Sequence, residues 1–209
     1  MLQKMHQKDS ETHTRVLEAA TRLFAATGFK KVTVREICRE ASANVAAVNY
    51  HFGDKLGLYE EVMAQAMEVM RETTALAQRA GDGRPAEEKL AAFVGVMVDR
   101  VIRHARDSWI HQLMTHEIAD PTPVLSVIQE RVITPRMIYV GELVAEMLGT
   151  SPGDPRVMRC CMSLLSQLYF AMAKMDSAMF PRMTDGDEGL DALREHITAF
   201  SLAGIRAVK

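Results

Sequence analysis

Apolar side chains recur every three to four residues along most of the chain, and no run alternates apolar and polar residues over strand length between turn signals. That period is helical, so the pattern predicts an all-α protein. Residues 12–27 (THTRVLEAATRLFAAT) place Val16, Ala20, Leu23 and Phe24 on one face, and Gly28 should stop that helix. Thr33 followed by Glu36 reads as a capping box opening a short helix that runs to about Ala41. SAN at 42–44 forms a tight turn, and Asn44 suits the N-cap of a third helix, VAAVNYHF. GD at 53–54 breaks the chain before a long helix from Lys55, whose apolar face carries Leu58, Val62, Met63, Ala66 and Met70.

The segment GDGRP at 81–85 is the clearest linker. Helices are expected beyond it at 86–105, 107–118 and 122–148, with Pro135 breaking or kinking the last. SPGDP at 151–155 is a firm stop. The helix at 155–175 carries Val157, Cys161, Leu164, Leu165, Leu168, Met172 and Met175 in one stripe. In the final helix, 187–207, Leu193, Ile197, Phe200 and Gly204 lie on one side, and Leu190, Leu202 and Ile205 on others. Apolar residues around so much of a circumference imply burial on two sides, one against its own domain and one against a second subunit. The expected division is an N-terminal arm and three-helix domain over 1–55 and a larger helical domain over 56–209.

Composition adds an asymmetry. Residues 1–59 hold nine Lys/Arg against six Asp/Glu, whereas the remaining 150 hold sixteen against twenty-one, so the first part is basic and the rest acidic. A basic N-terminal face suits a polyanion. Thirteen of the 15 methionines lie after residue 60, and such flexible side chains fit a core or an irregular ligand equally well. Three cysteines, Cys38, Cys160 and Cys161, make no disulfide framework. With no signal-peptide core and no apolar run of spanning length, a cytosolic protein is expected. The chain has no GxSxG, P-loop, Rossmann glycine or HExxH pattern, so no enzyme is expected.

Two short helices joined by a three-residue turn are a helix-turn-helix, whose second helix enters the DNA major groove. Residues 12–59 resemble the DNA-binding domain of the TetR/AcrR family of bacterial transcriptional repressors. The likeness is carried by ICREA (37–41), NVAAVNYHF (44–52) and GDKLGLY (53–59), with Phe24 and Gly28 upstream. It implies that Thr33, Tyr50, His51 and Lys55 grip phosphates, and that the start of the third helix reads bases through Asn44, Val45, Ala46, Ala47 and Asn49. Asn44 serves equally well as a plain cap, and Ile37, Val48 and Phe52 read as core. Many members have Gly in the turn and Lys or Arg near the start of the recognition helix, where this chain has Ser42 and Val45.

The stretches WIHQLMTHEIADPTPVL, VITPRM and LLSQLYFAMAK resemble more narrowly the CecR/YbiH-like C-terminal domain. The resemblance implies a homodimer through helices 155–175 and 187–207, a palindromic double-stranded DNA operator, and release by a small organic effector. Candidate pocket residues are Met63, Met67, Phe93, Met97, Trp109, Leu113, Met114, Glu117, Tyr139, Gln167 and Tyr169, each of which also fits ordinary core packing. No cofactor is expected. One alternative is a metal-responsive regulator using His104, His111, His116, Glu117, Cys160 and Cys161, although the histidine spacings do not match a helical pair at i, i+4. The other is a helical protein-interaction module that does not bind DNA.

Overall fold

The computed structural model describes the backbone of residues 2–103, 108–172 and 186–209, and their side chains from residue 9 onward, Met172 excepted. The described residues form helices α1 (Leu2–Thr27), α2 (Val34–Glu40), α3 (Val45–Phe52), α4 (Lys55–Ala80), α5 (Ala86–Met97), α6 (Trp109–Ala119), α7 (Val124–Ile128), α8 (Thr134–Leu148), α9 (Pro155–Met172) and α10 (Gly186–Ala207). No strand occurs among them, so the fold is all-α as the apolar period requires.

The chain divides into two compact units, residues 1–68 with 108–128, and residues 69–107 with 129–209. The sequence-based boundary at 55/56 differs from this division. The first half of α4, all of α6 and α7 join the helix-turn-helix unit, because α6 packs along α1. A linear reading sees only that 107–118 is amphipathic, not which face it meets.

In the first unit, Val16, Ala20 and Phe24 of α1 are buried as expected. The helix begins earlier than its first apolar residues suggested, because residues 2–11 contain neither Gly nor Pro to stop it. Gly28 ends it at φ +84°, and a Cβ there would also lie 3.2 Å from the His116 ring. The rings of Phe24, Phe29 and Tyr59 meet at centroid distances of 4.8–5.9 Å, tying α1 to the start of α4. Gly57 is required by close approach, since a Cβ there would sit 2.1 Å from the Phe52 carbonyl oxygen.

The second unit buries Leu90, Phe93 and Val94 of α5, Val140 and Val144 of α8, Val157, Leu164 and Leu168 of α9, and Ile197 of α10 in one core. The expected helix 86–105 becomes α5 followed by a π-helical turn, Val98–Ile102, and the expected helix 122–148 contains a second, Gln129–Ile133. The second ends just before Pro135, which takes a first-turn position of α8 where a missing N–H costs nothing. The wider turn thus absorbs the break that the proline demands. On α10 the buried face is Leu190, Leu193, Ile197, Ser201 and Ile205. Phe200, expected beside Leu193 and Ile197, lies at the rim of that face and is 60% exposed. Met175 lies outside the described residues.

Candidate nucleic-acid interface

Helix α2 opens with the capping box that its sequence announced. Thr33 N–H donates to Glu36 Oε2 at 2.7 Å, and Glu36 N–H donates to Thr33 Oγ1 at 3.3 Å. The Thr33 hydroxyl also donates to Glu36 at 2.7 Å, and these bonds hold the Glu36 carboxyl below its usual range. The turn to α3 passes through Ser42 at φ +50°, so a serine takes the left-handed conformation for which glycine is suited. Asn44 Oδ1 accepts from Ala47 N–H at 2.7 Å and caps α3. That bond uses the oxygen and leaves the Asn44 amide NH2 without a partner among the described residues.

Helix α3 is amphipathic in a manner that leaves one face bare. Val48 and Phe52 are buried, Phe52 stacking on His13 at 4.7 Å. Val45, Ala46, Asn49 and Tyr50 are exposed, with Tyr50 at 76%, and Ala47 is half-buried. The concavity beside them is lined also by Asp9, Thr12 and Arg15 of α1. Arg15 was not singled out from the sequence. Its guanidinium donates to Ala41 O at 3.2 Å and so sits where α2 leads into the turn. Only the fold brings residue 15 to residue 41, so no local signal marked it.

The remaining expected phosphate groups have tasks within the fold. Thr33 serves as the cap just described, with a carboxylate beside it. His51 Nε2 lies 3.3 Å from Asp9 Oδ1 and its ring packs edge-on to Tyr50 and His13. Lys55 Nζ donates to Phe29 O and Val32 O, each at 3.0 Å, and lies 4.2 Å from the centre of the Phe29 ring. It closes the loop between α1 and α2 onto the start of α4.

The same unit holds a buried polar joint. Glu117 of α6 is 1% exposed, and its Oε2 accepts from the Tyr59 hydroxyl of α4 at 2.7 Å. Its Oε1 accepts from Thr122 N–H and Thr122 Oγ1–H, each at 2.9 Å, and Thr122 Oγ1 accepts from Val124 N–H at 3.1 Å. Burial and the adjacent Glu117 push the Tyr59 hydroxyl far above its usual pKa. Lys30 also pairs with Asp120 just beyond α6.

The expected pocket residues fall in two groups. Met63, Met67, Trp109, Leu113, Met114 and Glu117 belong to the first unit, where Met63 and Leu113 are fully buried. Phe93, Met97, Tyr139, Gln167 and Tyr169 belong to the second. There Phe93 meets the Tyr139 ring at 6.2 Å. Gln167 turns instead toward Ser163 O and Ser201 Oγ, at 3.2 and 3.4 Å, and Tyr169 is 54% exposed. Gln167 lines a groove between α9 and α10 with Cys160, Ser163 and Phe200, whereas Tyr169 shares another flank of α9 with the exposed Met158 and Met162. Among the described residues no three His, Cys, Asp or Glu side chains gather to hold a metal, and His104 lies outside them. Burial pushes the Cys161 thiol up to about 11. No described helix is long and apolar enough to cross a membrane.

The family model for "Bacterial regulatory proteins, tetR family" matches residues 16–62, and that for "HTH-type transcriptional dual regulator CecR, C-terminal domain" matches residues 86–205. The chain belongs to the TetR family of regulators, with a CecR-like C-terminal domain. CecR of Shigella flexneri is 24% identical over 180 residues, covering 80% of this chain and 78% of its own. YttP of Bacillus subtilis is 32% identical over 83 residues, and that match spans only 40% of each chain. The TetR-family transcriptional regulator SCO4454 of Streptomyces coelicolor superposes with a TM-score of 0.67 at 24% identity, covering 94% of this chain and 96% of its own. The fold and the family are therefore those of transcriptional regulators. In this TetR-family chain α2 and α3 are the helix-turn-helix, and α3 is its second helix.

Proposed function

We propose that this protein is a ligand-responsive transcriptional repressor that binds a palindromic operator as a homodimer and is released by a small organic effector. The observation that carries the reading is the bare face of α3. A helix capped by Asn44 and anchored by Val48 and Phe52 presents Val45, Ala46, Asn49 and Tyr50 to the outside. Asn49 offers the amide pair that matches adenine, and Val45 and Ala46 offer methyl groups for thymine. Thr33, Asn44, Ala47, His51 and Lys55 support that helix and lie close to the backbone track. His51 acts first by fixing α3 against α1 and Lys55 by holding the α1–α2 loop to the start of α4, and Arg15 joins them as a phosphate contact.

The dimer reading is supported by α9 and α10. Met158, Met162 and Tyr169 form an exposed stripe on α9 opposite its buried Val157, Cys161, Leu164 and Leu168. Phe200 and Gly204 of α10 border a groove shared with Cys160, Ser163 and Gln167 on another flank of α9. Apolar stripes on two neighbouring helices suit a four-helix interface with a second copy. In that arrangement Gln167 and Tyr169 serve the dimer rather than the effector, and the effector pocket draws on Phe93, Met97 and Tyr139. The effector acts by population shift, favouring the conformer whose recognition helices no longer match half-sites one helical turn apart.

A fluorescence-anisotropy titration with the duplex upstream of the gene, at several salt concentrations, tests the reading. Binding as a dimer with a steep salt dependence is expected, and Asn49→Ala should relax base discrimination by about 1–3 kcal/mol at one position. A protein that stays monomeric, or that ignores duplex DNA at low salt, refutes it. The same failure would favour the interaction-module alternative.

A further inference from the structure

The second unit contains a cation that pairs with no carboxylate among the described residues. Arg136 projects from the first turns of α8 and is half-buried. Its Nε donates to Thr74 Oγ1 at 3.0 Å and its Nη2 to the Met70 carbonyl at 3.1 Å, both on α4. Both acceptors are neutral. Among the described residues no carboxylate stands within ion-pair distance of it, and burial lowers its proton affinity. Of the five N–H groups of a guanidinium, three are left over.

Three residues along the same helix, the Tyr139 hydroxyl is buried without a hydrogen-bond partner among the described residues. Residues three apart on a helix project to neighbouring positions of one face. The Tyr139 ring rests on Phe93 of α5, and the buried Met97 follows one turn further along α5. One side of α8 thus combines an unpaired cation, an unused hydroxyl donor and an apolar wall. A folded protein ordinarily pairs a buried charge and satisfies a buried hydroxyl, because leaving either unmet is costly. Two such groups at neighbouring positions of one helix can both be satisfied by a single anion.

We propose that Arg136 and Tyr139 are the polar recognition groups of an effector site in the second unit, and that the effector is a small organic acid. The planar carboxylate accepts from the free edge of the Arg136 guanidinium and from the Tyr139 hydroxyl, while the apolar body lies against Phe93 and Met97. A guanidinium fork matches a carboxylate in two parallel hydrogen bonds, which a neutral amide or alcohol cannot reproduce. Thr74 orients the fork through Nε and is a positioning residue. This inference rests on the ligand-responsive reading above and narrows it to one chemical class.

The test uses the full-length protein with octanoate and benzoate as probes, against octanol and benzamide. Thermal shift and calorimetric titration are expected to show the two acids stabilising the protein and the two neutral partners not. Arg136→Gln should weaken acid binding roughly tenfold to a hundredfold and abolish the preference for acid over amide. Arg136→Lys, which keeps the charge but not the fork, should retain part of the affinity, and Tyr139→Phe should lose about tenfold. The proposal is overturned if neither acid stabilises the wild type, if octanol and benzamide stabilise it equally, or if Tyr139→Phe and Arg136→Lys bind the acids as tightly as wild type. Operator release measured in the same samples separates the two levels. Release by a neutral probe alone leaves the repressor reading intact and removes the acid site. Acid binding through Arg136 with no effect on the operator does the reverse.

Discussion

Tyr59→Phe removes a single oxygen from the joint between α4 and α6 and leaves the ring in place against Phe24 and Phe29. Tyr59 and Glu117 are each 1% exposed, so water does not reach the gap without local opening. Among the described residues the Tyr59 hydroxyl is the donor to Glu117 Oε2, while Oε1 retains both bonds from Thr122. A hydrogen bond to a charged acceptor is worth about 1.5–3 kcal/mol, and the loss here strands one side of a buried carboxylate, so a destabilisation of about 2 kcal/mol is expected. Glu117→Ala strands three donors and opens a cavity, and about 4 kcal/mol is expected. The two effects are not independent. In the cycle Tyr59→Phe, Glu117→Ala and the double variant, the coupling should be at least about 1 kcal/mol. The assay is urea unfolding at fixed protein concentration, comparing midpoints only where the slope is unchanged. A Tyr59→Phe variant within about 0.5 kcal/mol of wild type, or an additive cycle, would show that the bond contributes nothing in solution. The same variants should bind operator more weakly, because a loosened α6 leaves the helix-turn-helix unit less well held.

Three further outcomes follow from local geometry. Ser42→Gly relieves a left-handed serine and should stabilise the protein by about 1 kcal/mol, read from the same urea curves, with no stabilisation counting against strain at the turn. Gly57→Ala should cost more than about 2 kcal/mol, since the Phe52 backbone and α4 must part to admit a methyl group, and a thermal melt close to wild type would refute this. Arg156, through its side chain and backbone N–H, together with Thr150, holds the Asp154 carboxyl well below the usual carboxylate range. A depressed folded pKa gives stability that is complete above the unfolded value of about 3.9 and fades as pH falls toward the folded one. Melting of Asp154→Asn should therefore lie below wild type from pH 7 to 5 and converge with it below about pH 4.

Much of the local structure was written in short-range chemistry. Thr33 with Glu36, Asn44 before an apolar turn, and Gly28 after Thr27 each fix a helix end through atoms within four residues, so they could be read directly. The apolar period likewise marked α4, α9 and α10 nearly to their ends. Residues whose roles depend on partners far along the chain were less legible. Lys55 looked like a phosphate ligand, yet its ammonium reaches back to Phe29 and Val32. Glu117 looked like a polar group for a pocket, yet it accepts from Tyr59, 58 residues away. Arg136 drew no notice, because a basic residue early in a helix is ordinary until its neighbours prove to be neutral.

The sequence by itself determined most of the helices and the caps of α2 and α3, since hydrogen bonds within a turn and a 3.6-residue period need no tertiary information. Only the tertiary structure decided which polar side chains are occupied and which are free. Compensation of a buried charge depends on distance in space, and chain separation carries almost no record of it. That division places Thr33, His51, Lys55 and Glu117 among the groups holding the fold, leaves Asn49 and Tyr50 exposed on α3, and leaves the Tyr139 hydroxyl without a partner among the described residues.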